Sequence, residues 1–261
     1  MNDAPARQLD IRLADCAADV VAAQRLRWDI FYDDMGATPP PGLPHGLDVD
    51  PYDAICDHLL VEDHGAGDRP IVVGTYRLLR QSVAERHGGF YGAGEYALEA
   101  IRRDAERDGR ELLELGRSCV APAYRDAGTI QLLWRGIARY LAEHGIGRMF
   151  GCASFPGTDP QAHAAPLSYL FHNHLSPAQI RVTALPALHA EMGLLPVGGY
   201  DQRQAMRLLP PLIKGYLRVG ATVGDGAVID HRFNTVDVFM SVPVEAIAAR
   251  YLDRFGAVAA A

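Results

Sequence analysis

Hydrophobic and polar positions follow two periods along this chain. Residues 9–13 alternate, apolar then polar, as a half-buried strand does. Val20, Val21, Leu26, Ile30 and Phe31 then recur at helical spacing, which predicts a helix from a cap at Asp15 to about Met35. Gly36 ends it, and the proline-rich stretch 38–44 is a stiff connector in which no regular element can persist. Segments 58–62 and 71–79 read as strands joined by a glycine-rich hairpin at 64–68. Residues 81–110 mix an aromatic turn (Phe90, Tyr91, Tyr96) with a basic helix tail (Arg102, Arg103, Arg107, Arg110).

Segment 111–120 is strand-like, with Leu112, Leu113, Leu115 and Val120 interrupted by Glu114 and Arg117. Pro122 and Gly128 break it. A helix over about 128–144 follows, with Ile130, Leu133, Trp134, Ile137, Tyr140 and Leu141 on one broad face and Gly145 as its stop. A short buried strand is expected at 149–153, a helix broken by Pro166 at 161–175, mixed turns over 178–220, a late strand at 236–242 and a closing amphipathic helix at 244–255. Alternating strands and helices, with hairpins early, predict a mixed α/β sheet covered by helices. The expected organisation is a single domain over 9–242, a flexible tail at 1–8, and a closing helix and disordered tail at 243–261.

Composition narrows the function. The 261 residues carry a net charge of −7, which argues against general nucleic-acid binding. Lys214 is the one lysine, so arginine supplies nearly all the positive charge. That charge is uneven: 117–148 holds five arginines against two acids, and 201–218 holds Arg203, Arg207, Lys214 and Arg218 against Asp201. Either stretch could dock an acidic partner or anionic headgroups, or be scattered surface charge. Cysteines 16, 56, 119 and 152 lack metal-ligand spacing and read as reduced thiols. No signal-peptide pattern is present, and no run approaches the roughly 20 apolar residues of a membrane span. The expectation is a cytoplasmic protein, with at most peripheral contact with an anionic membrane. His172 and His174 lack a third nearby ligand, so no metal is expected.

The chemistry concentrates at 111–130. A strand, a turn with free backbone N–H groups and a helix start form a setting that holds phosphate. Charges inside a buried strand are costly unless paired or used. Glu114 is therefore either a base or half of an ion pair with Arg117. Cys119 could carry an acyl group covalently, although a strand cysteine is more often simply packed.

Several phrases resemble a known family. The order Arg25-Leu-Arg-Trp-Asp-Ile-Phe31, Asp50-Pro-Tyr-Asp53, Gly74-Thr-Tyr-Arg-Leu-Leu79 and Glu114-Leu-Gly-Arg117 is similar to the N-acylhomoserine lactone synthases of the GNAT acyltransferase superfamily. The fuller phrases Glu114-Leu-Gly-Arg-Ser-Cys-Val120, Tyr124-Arg125, Leu212-Ile-Lys-Gly-Tyr-Leu-Arg218, Gly224-Asp-Gly-Ala227 and Phe233-Asn-Thr-Val-Asp237 resemble the ornithine Nα-acyltransferases of ornithine-lipid synthesis, sometimes labelled hemolysin-like. The resemblance implies a GNAT-like α/β fold with a central, mostly antiparallel mixed sheet and a C-terminal extension.

It also implies transfer of a 3-hydroxyacyl chain from acyl carrier protein to the α-amine of ornithine or another amino acid. Glu114 would serve as base, with Arg117 orienting it or holding the substrate carboxylate. Backbone N–H groups at Cys119 and Val120 would steady the oxyanion. Tyr124, Arg125, Gly128 and Thr129 would form the donor phosphate loop. Arg27, Asp50, Asp53 and Arg77 would shape the acceptor side, and Trp28 and Phe31 would line the acyl tunnel. No cofactor would be bound permanently; the donor arm would be the carrier's phosphopantetheine. Coenzyme A-dependent members usually carry a small residue where Ile130 stands, a departure compatible with a single donor phosphate. The rivals are an acylhomoserine lactone synthase and a non-catalytic carrier- or lipid-binding protein.

Overall fold

The computed structural model describes residues 7–247. In chain order the strands are β1 (Leu9–Leu13), β2 (Asp57–Asp63), β3 (Ile71–Arg80), β4 (Tyr96–Ala97), β5 (Glu111–Val120), β6 (Ile146–Pro156), β7 (Thr183–Ala184), β8 (His189–Ala190), β9 (Thr222–Asp230) and β10 (Thr235–Pro243). The helices are α1 (Ala17–Trp28), α2 (Gln81–Ala84), α3 (Glu99–Asp108), α4 (Ala127–Glu143), α5 (Ala164–His174), α6 (Gln202–Leu208), α7 (Pro211–Arg218) and α8 (Val244–Ile247). The chain forms two compact units, one of Met1–Gly88 with Leu115–His144, the other of Gly89–Glu114 with Gly145–Ala261. Strand β5 changes unit between Glu114 and Leu115.

In the first unit, β1, β2, β3 and the end of β5 lie in that order. The β1–β2 and β2–β3 pairs are antiparallel, with a bulge at Val61/Glu62. Strand β2 is buried along nearly its whole length because helices cover it. Helix α4 lays Leu133, Ile137, Tyr140 and Leu141 against β1, β2 and β3, while α1 packs on β3. At Gly136 the approach is tightest: a Cβ there would meet Ile11 Cδ1 at 2.6 Å and Leu59 Cδ1 at 2.9 Å.

The first helix differs from its sequence pattern. Its N-cap is Cys16, not Asp15, and its α-helical part ends at Trp28. A π-helical turn, Asp29–Asp34, carries the chain on, and the Met35 N–H donates to the Ile30 carbonyl at 3.0 Å. The apolar stripe cannot distinguish these windings, since both keep Ile30 buried.

In the second unit, the start of β5 runs parallel to β6, pairing Glu111 with Ile146 and Glu114 with Phe150. Strand β6 pairs antiparallel with β10 from Pro156↔Thr235 to Arg148↔Pro243, and β9, β7 and β4 follow. The sheet is thus mixed and mostly antiparallel. Alternation splits its faces. Met149, Ala153, Phe155, Val236, Val238 and Val242 make one buried face, and Phe150, Cys152, Ser154, Asp237 and Phe239 share the other.

Three expectations change here. Strand β6 spans 11 residues, longer than the predicted 149–153. Pro166 does not break α5; it sits in the first turn, where its missing N–H is not needed. Strand β9 had no apolar signature because Gly224 and Gly226 dilute it; Gly226 has φ +82 and lies against His189. The tail expected at 1–8 falls outside the described residues except at positions 7 and 8, where Arg7 reaches the Ala123 carbonyl and the Gln8 N–H donates to Asp63. The closing helix is described only as α8; its remainder also lies outside them.

Gly136→Val should lower the unfolding free energy by about 1–3 kcal/mol through overpacking. Denaturant titration by circular dichroism measures it.

Candidate active site

The first unit buries a balanced cluster of charge. Arg27, fully buried, sits 2.9 Å from Asp48 and 2.8 Å from Asp53, and also donates to the Asp48 carbonyl. Arg77 reaches Asp50 at 2.6 Å and Asp53 at 3.2 Å. Arg117 completes the set, 3.2 Å from Asp48 and 3.1 Å from Asp50. Three guanidiniums thus face three carboxylates. Gln24 donates to Asp53 at 2.9 Å, and the Tyr32 hydroxyl to Asp48 at 3.0 Å.

Local sequence makes this arrangement. Asp50 caps the 3-10 turn Pro51–Ala54 by accepting the Tyr52 N–H, and Asp53 answers by accepting the Asp50 N–H, a reciprocal capping box. Arg27 on α1 and Arg77 on β3 then meet acids whose positions the turn has set. Burial opposes Asp53's ionisation, yet the hydrogen bond and charge of Arg27, with Gln24 and Arg77, outweigh it and hold the carboxyl below the usual carboxylate range. Asp48 and Gln24 were missed as members. The Asp48-x-Asp50 spacing was the available signal for Asp48; nothing marks Gln24.

Arg117 stands in β5 with φ 48°, in the left-handed region. For a non-glycine residue that costs about 1–3 kcal/mol and persists only where the surroundings enforce it. Here two carboxylates grip the side chain. Beyond it, Cys119 and Val120 are buried, and Cys119 packs in an apolar cluster with Leu26 and Ile30, against which Phe31 also lies. Burial pushes the Cys119 thiol up to about 12, so little thiolate exists near neutral pH to attack a thioester. Trp28 is buried beside Tyr32, ring centroids 4.6 Å apart, and His45.

At the start of α4, Asp126 is the N-cap. Its carboxylate accepts the Thr129 N–H at 3.0 Å and pairs with Arg7 at 2.7 Å. Gly128 is exposed there. Tyr124 donates to Asp63 at 2.8 Å, and Arg125 donates to the Val120 carbonyl at 3.0 Å. The Asp126 carboxylate therefore occupies the N-terminal end of α4. Of the arginines in 117–148, Arg117 is part-buried and paired with Asp48 and Asp50, and Arg148 pairs with Asp104 at 3.0 Å, which leaves Arg125, Arg135 and Arg139 exposed. His172 and His174 turn to separate partners, the Leu195 carbonyl and the Tyr169 hydroxyl.

Glu114, in the second unit, is 7% exposed. Both its oxygens accept backbone N–H groups, from Tyr91 at 2.8 Å and Gly92 at 2.6 Å. These amides open the 3-10 turn Tyr91–Gly94 and have no partner within it. Gly92 permits the approach, since a Cβ there would lie 2.9 Å from Glu114 Oε1. Two main-chain amides thereby fix the orientation of the carboxylate.

Comparison with known proteins supports a common ancestry. Residues 26–135 match the model of the acetyltransferase (GNAT) domain. The L-ornithine N(alpha)-acyltransferase of Rhizobium meliloti is 48% identical over 252 residues, 95% of this chain and 84% of that one. The protein of the same name from Rhodobacter capsulatus is 40% identical over 245 residues, 93% and 92% of the two chains. The chain belongs to the L-ornithine Nα-acyltransferase family. Among solved structures, FeeM, an N-acyl amino acid synthase from uncultured soil microbes, superposes with a TM-score of 0.54 at 12% identity, covering 96% of this chain and 99% of that one. That likeness shows the acyltransferase fold the resemblance implied. For this member of the L-ornithine Nα-acyltransferase family, no helix among the described residues is long and apolar enough to cross a membrane.

Asp53→Asn should destabilise the first unit by about 3–5 kcal/mol, because Arg27 and Arg77 lose a buried counter-charge. The depressed Asp53 carboxyl contributes stability that is complete above about pH 4 and drains as the pH falls further; urea midpoints from pH 7 to pH 3 should fall less steeply in the variant. In native protein a thiol reagent at pH 8 should label exposed Cys16 and spare Cys119 until denaturant is added. Peptide mapping by mass spectrometry reads both states.

Proposed function

We propose that the protein transfers a 3-hydroxyacyl chain from acyl carrier protein to the α-amine of L-ornithine. The observation that carries this reading is the match along almost the whole chain to proteins named L-ornithine N(alpha)-acyltransferase. Glu114 meets the acceptor amine, directly or through water, its orientation set by Tyr91 and Gly92. Amides of β5 beyond the left-handed Arg117, at Cys119 and Val120, serve the oxyanion. A left-handed residue turns its neighbouring peptides off the ladder, which is what such donors need. Arg27, Arg77 and Arg117 with their aspartates hold the acceptor-side loop 48–53, and Trp28 and Phe31 line the acyl path.

The donor is the finer part of the proposal. Asp126 already occupies the α4 N-terminus, and a diphosphate would have to displace that carboxylate as well as fit beside Ile130. A single phosphopantetheine phosphate asks less of the site. Exposed Arg125, Arg135 and Arg139 offer an acidic carrier protein a complementary face. Amphipathic product would bring the protein into peripheral contact with anionic membrane.

Purified protein should form N-acylornithine from 3-hydroxyacyl carrier protein, detected by mass spectrometry of lipid-soluble product. Glu114→Gln should lower kcat at least about 100-fold while carrier binding persists. Glycine or lysine acylated in preference to ornithine would overturn the acceptor. Equal rates from acyl coenzyme A would overturn the carrier.

A further inference from the structure

Glu95 closes the 3-10 turn whose opening amides hold Glu114. It is half-buried, and among the described residues its carboxylate has one side-chain contact, the Cys152 thiol at 3.8 Å. The groups that bear on it come from every neighbouring element: Glu114 on β5, Tyr96 on β4, Cys152 on β6, Asp230 on β9 and Asp237 on β10. Burial first, then Asp237 and Asp230, raises the Glu95 carboxyl to about 7. Asp230 is already committed to the hairpin, accepting the N–H groups of Arg232 and Phe233 at 2.8 and 2.9 Å.

The surroundings suit a cationic amine on an organic body. Phe90, Phe150, Phe239 and Tyr96 form a chain of ring contacts 5.0–5.5 Å between centroids, with Phe150 and Phe239 on the sheet face that also carries Cys152 and Asp237. Thr235 shares that face with Asp237; it is 2% exposed, and its hydroxyl has no partner among the described residues. Two carboxylates therefore differ in kind. Glu114 has both oxygens engaged by main chain, whereas Glu95 keeps an oxygen open and binds a proton near neutral pH. A carboxylate fixed by main-chain amides and one that takes up a proton can divide acid–base work between them.

Building on the acyl-transfer reading above, we infer that Glu95 is the proton acceptor of the reaction and that Glu114 is the fixed anion that holds the acceptor's ammonium. The ammonium gives one proton to Glu95. The free nitrogen attacks the thioester carbonyl carbon, and the tetrahedral intermediate collapses with cleavage of the C–S bond. The nitrogen's second proton leaves with the thiolate as thiol, and Glu95 returns its proton to water.

The test compares wild type, Glu95→Gln and Glu95→Asp at pH 7 and pH 9.5, with carrier-protein donor and a panel of amino acids. Glu95→Gln should lose about 100-fold in kcat at pH 7. At pH 9.5 the acceptor is largely unprotonated, and the deficit should shrink at least about tenfold. Wild-type kcat/KM should show an acid limb near pH 7 that Glu95→Gln lacks and Glu95→Asp retains. Because ionising this buried group opposes folding as pH rises from about 4.5 to about 7, a cost complete by pH 8, Glu95→Gln should melt no lower than wild type there. A deficit under about threefold at pH 7, or the same deficit at both pH values, overturns the assignment. If wild type prefers another amino acid, the ornithine reading falls and Glu95 is judged by the same ratio on that amine. If no amino acid is acylated, both fall.

Discussion

The first unit is built around charge that must be neutralised away from water. Arg27, Arg77 and Arg117 come from three different elements, and Asp48, Asp50 and Asp53 from one short loop. Each carboxylate is shared between two guanidiniums, so no pair stands alone. Removing water from six charges is tolerable only where geometry is this complete. The arrangement ties the loop and 3-10 turn that carry these aspartates to a helix and two strands. It also holds Arg117 in a backbone conformation it would otherwise leave, and so sets the course of β5.

The second unit handles charge differently. Glu114 is satisfied by main-chain amides, and Glu95 by little beyond a thiol. One unit therefore spends its acids on structure, and the other keeps an acid with open valence.

Much of this was legible beforehand, for definable reasons. Strands β1, β2, β3 and β5 show clear periodicity or apolar runs, and the Glu-Leu-Gly-Arg phrase marks a strand carrying charge it must use. The phrase Asp50-Pro-Tyr-Asp53 pointed to the acceptor-side acids, though not to Asp48 joining them, because pairing across the fold leaves no local trace. Glu95 was invisible for the same reason: its character comes from burial in the fold and then from Asp237 and Asp230, more than a hundred positions later. The π-helical turn after Trp28 and the left-handed Arg117 are backbone choices made by tertiary contacts. Side-chain periodicity does not report them.

The Asp126 cap has a consequence for selectivity. A helix end that carries its own carboxylate is closed to stray inorganic anions, which must compete with a group permanently tethered beside it. If the donor is carrier-borne, as proposed, a phosphate delivered on the carrier's arm would compete on better terms, since docking would raise its local concentration far above that of free ions. On the donor reading proposed above, the cap would work as a threshold, admitting the anion that arrives attached and turning away the one that arrives alone.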